Sequence, residues 1–257
     1  MSEFKYISVE GNIGSGIDTV YPLLKQYKDK LRDVLDLPIK IKITEDVDEY
    51  LTSTVLKDPN KNAFPFLIRS FLNRYNGSGN DSDNDSGNDS GNDSGNDKDN
   101  ISKRSFLSDM CRLETFLELN YISTNEYNIC KDLYHTMEDK FPKFEETMFI
   151  YLKSNENSCY ERLIEQGTKH LDFNYITILN KHFDDYFLGS KKNVLVIDYD
   201  KYQFNTSSLL ASIQNFYHEL SVPKKSTKPP TQDNHSEWTV VSRTKKKKNK
   251  KKFTSFS

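Results

Sequence analysis

Several features that announce a function at once are scarce in this chain of 257 residues. It has three cysteines, Cys111, Cys130 and Cys159, and five histidines. No C-x-x-C pair and no histidine at ligand spacing accompany the cysteines. A zinc site is therefore not expected, nor any other metal site, and reduced, packing thiols are. No window approaches the roughly 18 consecutive apolar residues of a membrane helix. The N-terminal MSEFKYISVEGN has no basic start followed by an apolar run. A soluble, intracellular, cytoplasmic protein with no membrane contact is expected. Net charge is nearly absent as well, with 36 Lys and Arg against 38 Asp and Glu. Apolar content is only 35%, because two segments hold almost no apolar residues; the remainder is normally globular.

The first of these segments is residues 76–100, NGSGNDSDNDSGNDSGNDSGNDKDN, which repeats SGND. Nothing in it can enter a core or offset the entropy of ordering, so a disordered acidic insert is expected. A calcium-binding repeat would need a large apolar residue in each turn, and none is present. The second is the C-terminal stretch 223–257, which carries seven lysines between 245 and 252. Like charges of this density repel and stay solvated, so this is expected to be a disordered tail. Solubility, a nuclear address, or weak nucleic-acid binding by residues 243–252 through counterion release all remain open for it. Residues 1–222 are left as one domain.

Within that domain YISVE (6–10), KIKITE (40–45), MFIYLK (148–153) and NVLVIDY (193–199) read as strands. Residues 17–34, 61–75, 105–140, 155–166, 173–188 and 206–220 read as helices. Strands alternating with helices predict an α/β fold of three layers, a parallel sheet flanked by helices, with ligands at the carboxyl ends of the strands.

The stretch GNIGSGIDT (11–19) follows the first strand directly. Glycines at 11, 14 and 16 between a strand and a helix suit a loop whose backbone N–H groups cradle phosphate. Yet the positions where such loops carry Lys and Ser/Thr read Ile17 and Asp18.

Together with later segments this loop resembles the deoxynucleoside kinase family, from about residue 5 to residue 220 without the insert. VEGNIGSGIDT resembles I-E-G-N-I-G-[SA]-G-K-[ST]-T, which marks Gly11, Asn12, Gly14, Ser15, Gly16 and Thr19 as phosphate-loop positions. ITEDV (43–47) resembles I-x-E-P-V and implies Glu45 as general base. KDPNKNAFPFLIRSFLNR (57–74) resembles the helix that ends in a base-reading arginine, here Arg74. SKRSFLSD (102–109) resembles E-R-S-x-x-S-D and keeps Arg104, implied to be catalytic with Glu45, and Asp109, implied to contact the base with Arg74. MFIYLKSNENSCYERL (148–163) resembles the I-Y-L-x-x-x-P-E-x-C-x-x-R segment. The resemblance implies a P-loop kinase fold, a deoxynucleoside ligand held by Glu45, Arg74 and Asp109, and a homodimer.

The departures fall mostly in the phosphate half. Ile17 cannot donate to a transferring phosphoryl, and loss of one such donor costs roughly 2.7–4 kcal/mol of barrier. Asp18 adds repulsion of about 1–4 kcal/mol to a phosphate oxygen about 4 Å away, unless it ligates magnesium itself. The segment 163–173 is shorter than the family's arginine lid and offers Lys169 and His170. Lys103 stands for the family's Glu, Leu67 for a base-reading Gln and Leu56 for a sugar-binding Tyr. Before Arg104 only DNIS precedes, so the family's strand there is either very short or the sheet is rebuilt. Three functions stay open. One is a degenerate, catalytically impaired homologue with a nucleoside-binding or scaffold role. The others are an active ATP- and magnesium-dependent kinase with an altered phosphate site, and a nucleic-acid-associated protein acting through its tail. Glu45, Arg74, Arg104 and Asp109 can equally persist as buried ion pairs.

Overall fold

The computed structural model describes residues 6–35, 41–42, 50–51, 53–79, 101–137, 147–189, 193–201 and 205–221. Glu45, most of the SGND tract and the lysine-rich stretch lie outside the described residues. In chain order the elements are β1 (Tyr6–Gly11), α1 (Ile17–Gln26), α2 (Lys28–Leu35), β2 (Ile41–Lys42) and a 3-10 turn (Val55–Lys57). Then come α3 (Pro59–Gly79), β3 (Ile101–Lys103), α4 (Phe106–Glu118), α5 (Thr124–Met137) and β4 (Thr147–Lys153). The series ends with α6 (Glu156–Glu165), α7 (Phe173–Phe187), β5 (Val194–Asp198) and α8 (Thr206–Ser221).

The strands form one sheet in the order β2-β3-β1-β4-β5, parallel at every described pairing. A parallel sheet needs cover on both faces, and β4 shows how the sequence supplies it. Met148, Ile150 and Leu152 join one apolar core with α1, α2 and α8, whereas Phe149 and Tyr151 join the other with α3 to α7. Successive side chains of a strand point to opposite faces, so a continuous apolar run serves two cores. This is the expected three-layer α/β architecture. The strand before Arg104 is the short alternative: β3 has three residues and pairs Ile7 with Ile101.

Two expected helices are each divided. The segment 17–34 breaks at Tyr27, between α1 and α2. Pro22 lies inside α1 and gives no N–H to the Asp18 carbonyl, yet the helix runs on to Gln26. The segment 105–140 breaks for a clearer reason. Asn120 adopts φ 57°, its N–H donates to the Leu117 carbonyl, and that of Tyr121 donates to Phe116. The Phe116 and Tyr121 rings meet at 5.9 Å, completing a Schellman stop with its apolar contact. Ser123 and Glu126 then exchange hydrogen bonds as a capping box that starts α5.

Several described turns leave the carboxyl ends of strands, where ligands of such sheets sit. The loop after β1, Arg104 after β3, Ser154 after β4 and Tyr199 after β5 stand side by side along the sheet order.

Candidate functional site

The glycine loop is a turn that only this sequence pattern allows. Gly14 and Gly16 have φ of 73° and 95°, a region costly for residues with a Cβ. A Cβ on Gly14 would meet the Cys159 carbonyl oxygen at 2.5 Å, and one on Gly16 would overlap the Tyr199 ring. Asn12 holds the turn from inside. Its side-chain oxygen accepts from the Ile13 N–H at 2.8 Å, and its amide donates to the Ile176 carbonyl of α7 at 2.9 Å. Gly16 caps α1 without a side-chain hydrogen bond, so the first N–H groups of that helix face the loop. The hydroxyl of Ser15 is buried beside them with no hydrogen-bond partner among the described residues. Backbone of this form suits a small anion.

The side chains that would turn an anion cradle into a phosphoryl-transfer site do not fit it. Ile17 is 2% exposed and packs with Val20, Tyr21 and Leu24 as the apolar stripe of α1. Its burial contributes about 1.5–3 kcal/mol to folding. Asp18 is exposed in the first turn of α1, where a negative charge complements the helix dipole by about 0.3–1 kcal/mol. Both departures thus favour the fold at positions where phosphate chemistry calls for a cation and a hydroxyl. Thr19 is exposed as well.

Arg104 follows β3 with φ 63° and is nearly fully buried. Its N–H donates to the Val9 carbonyl at 2.9 Å. Its guanidinium donates to the carbonyls of Gly11 and, at 3.4 Å, Asn12, and lies 5.9 Å from the Phe183 ring. A candidate catalytic arginine is therefore in contact with the loop backbone. Next to it the buried Glu10 carboxylate accepts from Ser8 and from the Ser105 N–H, both at 2.5 Å, and from the Ser108 hydroxyl. These contacts tie the E-R-S-like segment to the end of β1, and Glu10 is a site residue that the sequence pattern marked only as a motif match.

Asp109, expected to contact a base, is buried too. Asp109 accepts from the Ser70 hydroxyl at 2.9 Å and from Arg112 at 3.0 Å, and both charged side chains are 0% exposed. Ser70 sits one turn after Leu67 on α3; Leu56 and Leu67 belong to the surrounding apolar core. Arg74 lies on α3 and Lys103 ends β3, but their side chains are outside the described residues, as is all of Glu45. Arg112 escaped the sequence reading. Its signal was the i, i+3 spacing from Asp109 within one helix, which brings opposite charges together.

The sequence model of the deoxynucleoside kinase family matches residues 7–218. This chain belongs to the deoxynucleoside kinase family. Among solved structures it is similar to deoxyadenosine kinase from M. mycoides with bound dCTP, at 19% identity and a TM-score of 0.60, over 83% of this chain and 99% of that one. The same enzyme with bound dATP aligns at 17% identity and a TM-score of 0.59, over 82% and 97% of the two chains. At that identity the likeness is one of fold. Curated proteins give no match.

The segment expected to correspond to the family's lid forms the α6–α7 connection, where Lys169 and His170 are exposed. Besides Arg104, a second guanidinium near the loop comes from Arg162 on α6. It donates to the Gly14 carbonyl at 2.9 Å, to the Ser154 hydroxyl at 2.8 Å and to Asp200 at 2.5 Å, and lies 4.8 Å from the Tyr199 ring centroid. Asp200 also accepts from the Asn155 N–H at 2.7 Å and from the Ser154 hydroxyl at 2.6 Å. Burial pushes the Asp200 carboxyl upward, but the Ser154, Asn155 and Arg162 donors together hold it below the usual carboxylate range.

A carboxylate with a lowered folded pKa stabilises the fold above its unfolded pKa, and that stability is lost as pH falls through the folded value. Urea unfolding of the wild type is therefore expected to weaken more than that of Asp200→Asn as pH falls below about 4, the ordinary titration point of an aspartate. Equal acid sensitivity of the two proteins would remove Asp200 as a source of it. Among the described residues no helix is long and apolar enough to cross a membrane, and no group of acidic, His and Cys side chains is arranged to hold a metal ion.

Proposed function

We propose that this member of the deoxynucleoside kinase family is catalytically impaired and acts by binding a nucleoside or as a scaffold. The single observation that carries it is the division within one loop. The glycine turn is intact, while Ile17 has gone into the core and Asp18 stands at the helix N-terminus. Lysine at the first position would bridge transferring oxygens and a hydroxyl at the second would sit on magnesium; neither is supplied. Asp109 on α4 stands beside α3, the helix that carries Arg74, which supports retention of the nucleoside half. Family membership supports a deoxynucleoside as the ligand class.

Calorimetric titration separates the halves of the site. At least one deoxynucleoside is expected to bind, and magnesium-ATP to bind more weakly than about 1 mM, the upper end of ordinary Michaelis constants. Tight magnesium-ATP binding would favour an active kinase with an altered phosphate site. Absence of binding by every deoxynucleoside would leave only the scaffold role.

A further inference from the structure

The turns after β4 and β5 meet beside the glycine loop, and Asp200 joins them. It lies just past β5, yet its carboxylate reaches the turn after β4 through Ser154 and the Asn155 backbone and side-chain amides. It reaches α6 through Arg162. Arg162 in turn binds the Gly14 carbonyl. Tyr199, the residue before Asp200, is fixed by its own N–H on the Lys153 carbonyl at 2.7 Å, and its ring rests on Gly16. An anion of the protein itself is therefore held one guanidinium away from the loop that suits an external anion.

We infer that Asp200 is an autoinhibitory group: it occupies Arg162 and pins the chain just past β5, at Tyr199 and Asp200, against the loop, so that a polyphosphate entering there competes with it. The inference rests on the glycine loop being an anion cradle, as proposed above, but not on whether turnover occurs. Asp200 and Arg162 are both partly solvent-accessible, at 19% and 28% of their side chains, so the contact can open without unfolding the core. The charges compete for one donor set. Asp200 holds the Arg162 Nη2 group, and its carboxylate repels any phosphate oxygen that approaches the same guanidinium.

The probe is inorganic tripolyphosphate titrated into the full chain. Asp200→Ala and Asp200→Asn are each expected to bind it about tenfold more tightly than wild type, the order of effect of removing a like charge near an anion at intermediate dielectric. Combining Arg162→Ala with Asp200→Ala is expected to abolish the gain. Asp198→Asn takes away the same charge two residues earlier, where the partner is exposed Lys201, and is expected to change affinity less than about twofold. Amide hydrogen exchange at Asn155 should quicken in Asp200→Ala, showing that the contact was broken.

The inference is overturned if Asp200→Asn, folded as judged by circular dichroism, binds tripolyphosphate no better than wild type. It is also overturned if the gain survives loss of Arg162, or if Asp198→Asn reproduces it. Deoxynucleoside phosphorylation by the wild type would contradict catalytic impairment while leaving this competition standing, so the two failures are distinguishable.

Discussion

Asp109→Ala is expected to lower the free energy of unfolding by about 3–5 kcal/mol, the cost of leaving one member of a buried ion pair alone. Arg112 and Asp109 are fully buried at 3.0 Å, and Ser70 donates to the same carboxylate oxygen. Without the carboxylate, the guanidinium stays in an apolar core next to Phe66, whose ring centroid is 6.0 Å away. Urea denaturation measures this directly. The double variant Asp109→Leu with Arg112→Met should recover most of the loss, because an apolar pair of similar volume often replaces a buried ion pair at little cost. Nucleoside affinity should not recover with it if Asp109 contacts the base. Recovery of both stability and nucleoside binding would make Asp109 purely structural. An Asp109→Ala protein of wild-type stability would contradict the buried pair.

The second large effect is expected from returning the loop to the pattern of active family members. Ile17→Lys with Asp18→Ser should strengthen magnesium-ATP binding roughly tenfold or more, because it removes a repulsion of about 1–4 kcal/mol and adds a cation. The same change should destabilise the fold by about 1.5–3 kcal/mol, since Ile17 leaves the stripe it shares with Val20 and Leu24. Turnover should rise little. The α6–α7 connection and Lys103 still lack the groups of the family pattern, and residues that act as one constellation are strongly non-additive. Wild-type stability in the double variant would mean that Ile17 is not a core residue. Turnover near one per second, about the low end of ordinary enzymes, would mean that these two positions alone account for the impairment.

Much of the fold was legible because long apolar periodicity dominates it. MFIYLK is buried at nearly every position, and α7 repeats Tyr175, Ile176, Leu179 and Phe183 at helical spacing. The breaks were harder to see. LNYIS between α4 and α5 carries no Gly or Pro, and its stop depends on Asn120 tolerating positive φ and on one aromatic contact. The glycine loop was legible from spacing and geometry. What spacing could not give was where Ile17 points, and burial turns a missing donor into a core residue. Arg112, Glu10 and Asp200 act through partners 2 to 98 residues away in the chain, and only the i, i+3 ion pair within one helix leaves a mark in the sequence. Glu45 and the side chain of Arg74, both carried by the resemblance, remain proposals for the nucleoside half.

The central claim is that descent from this family has kept the loop and not its chemistry. Phosphate transfer from magnesium-ATP to a panel of deoxynucleosides by the unmodified full chain tests it most directly, with product separated from substrate and counted over hours. No deoxynucleoside is expected to be phosphorylated at a rate approaching about one per second. A deoxynucleoside monophosphate formed at that rate, and lost on Asp109→Asn, would contradict the claim and establish a working kinase whose phosphate site differs from the family pattern.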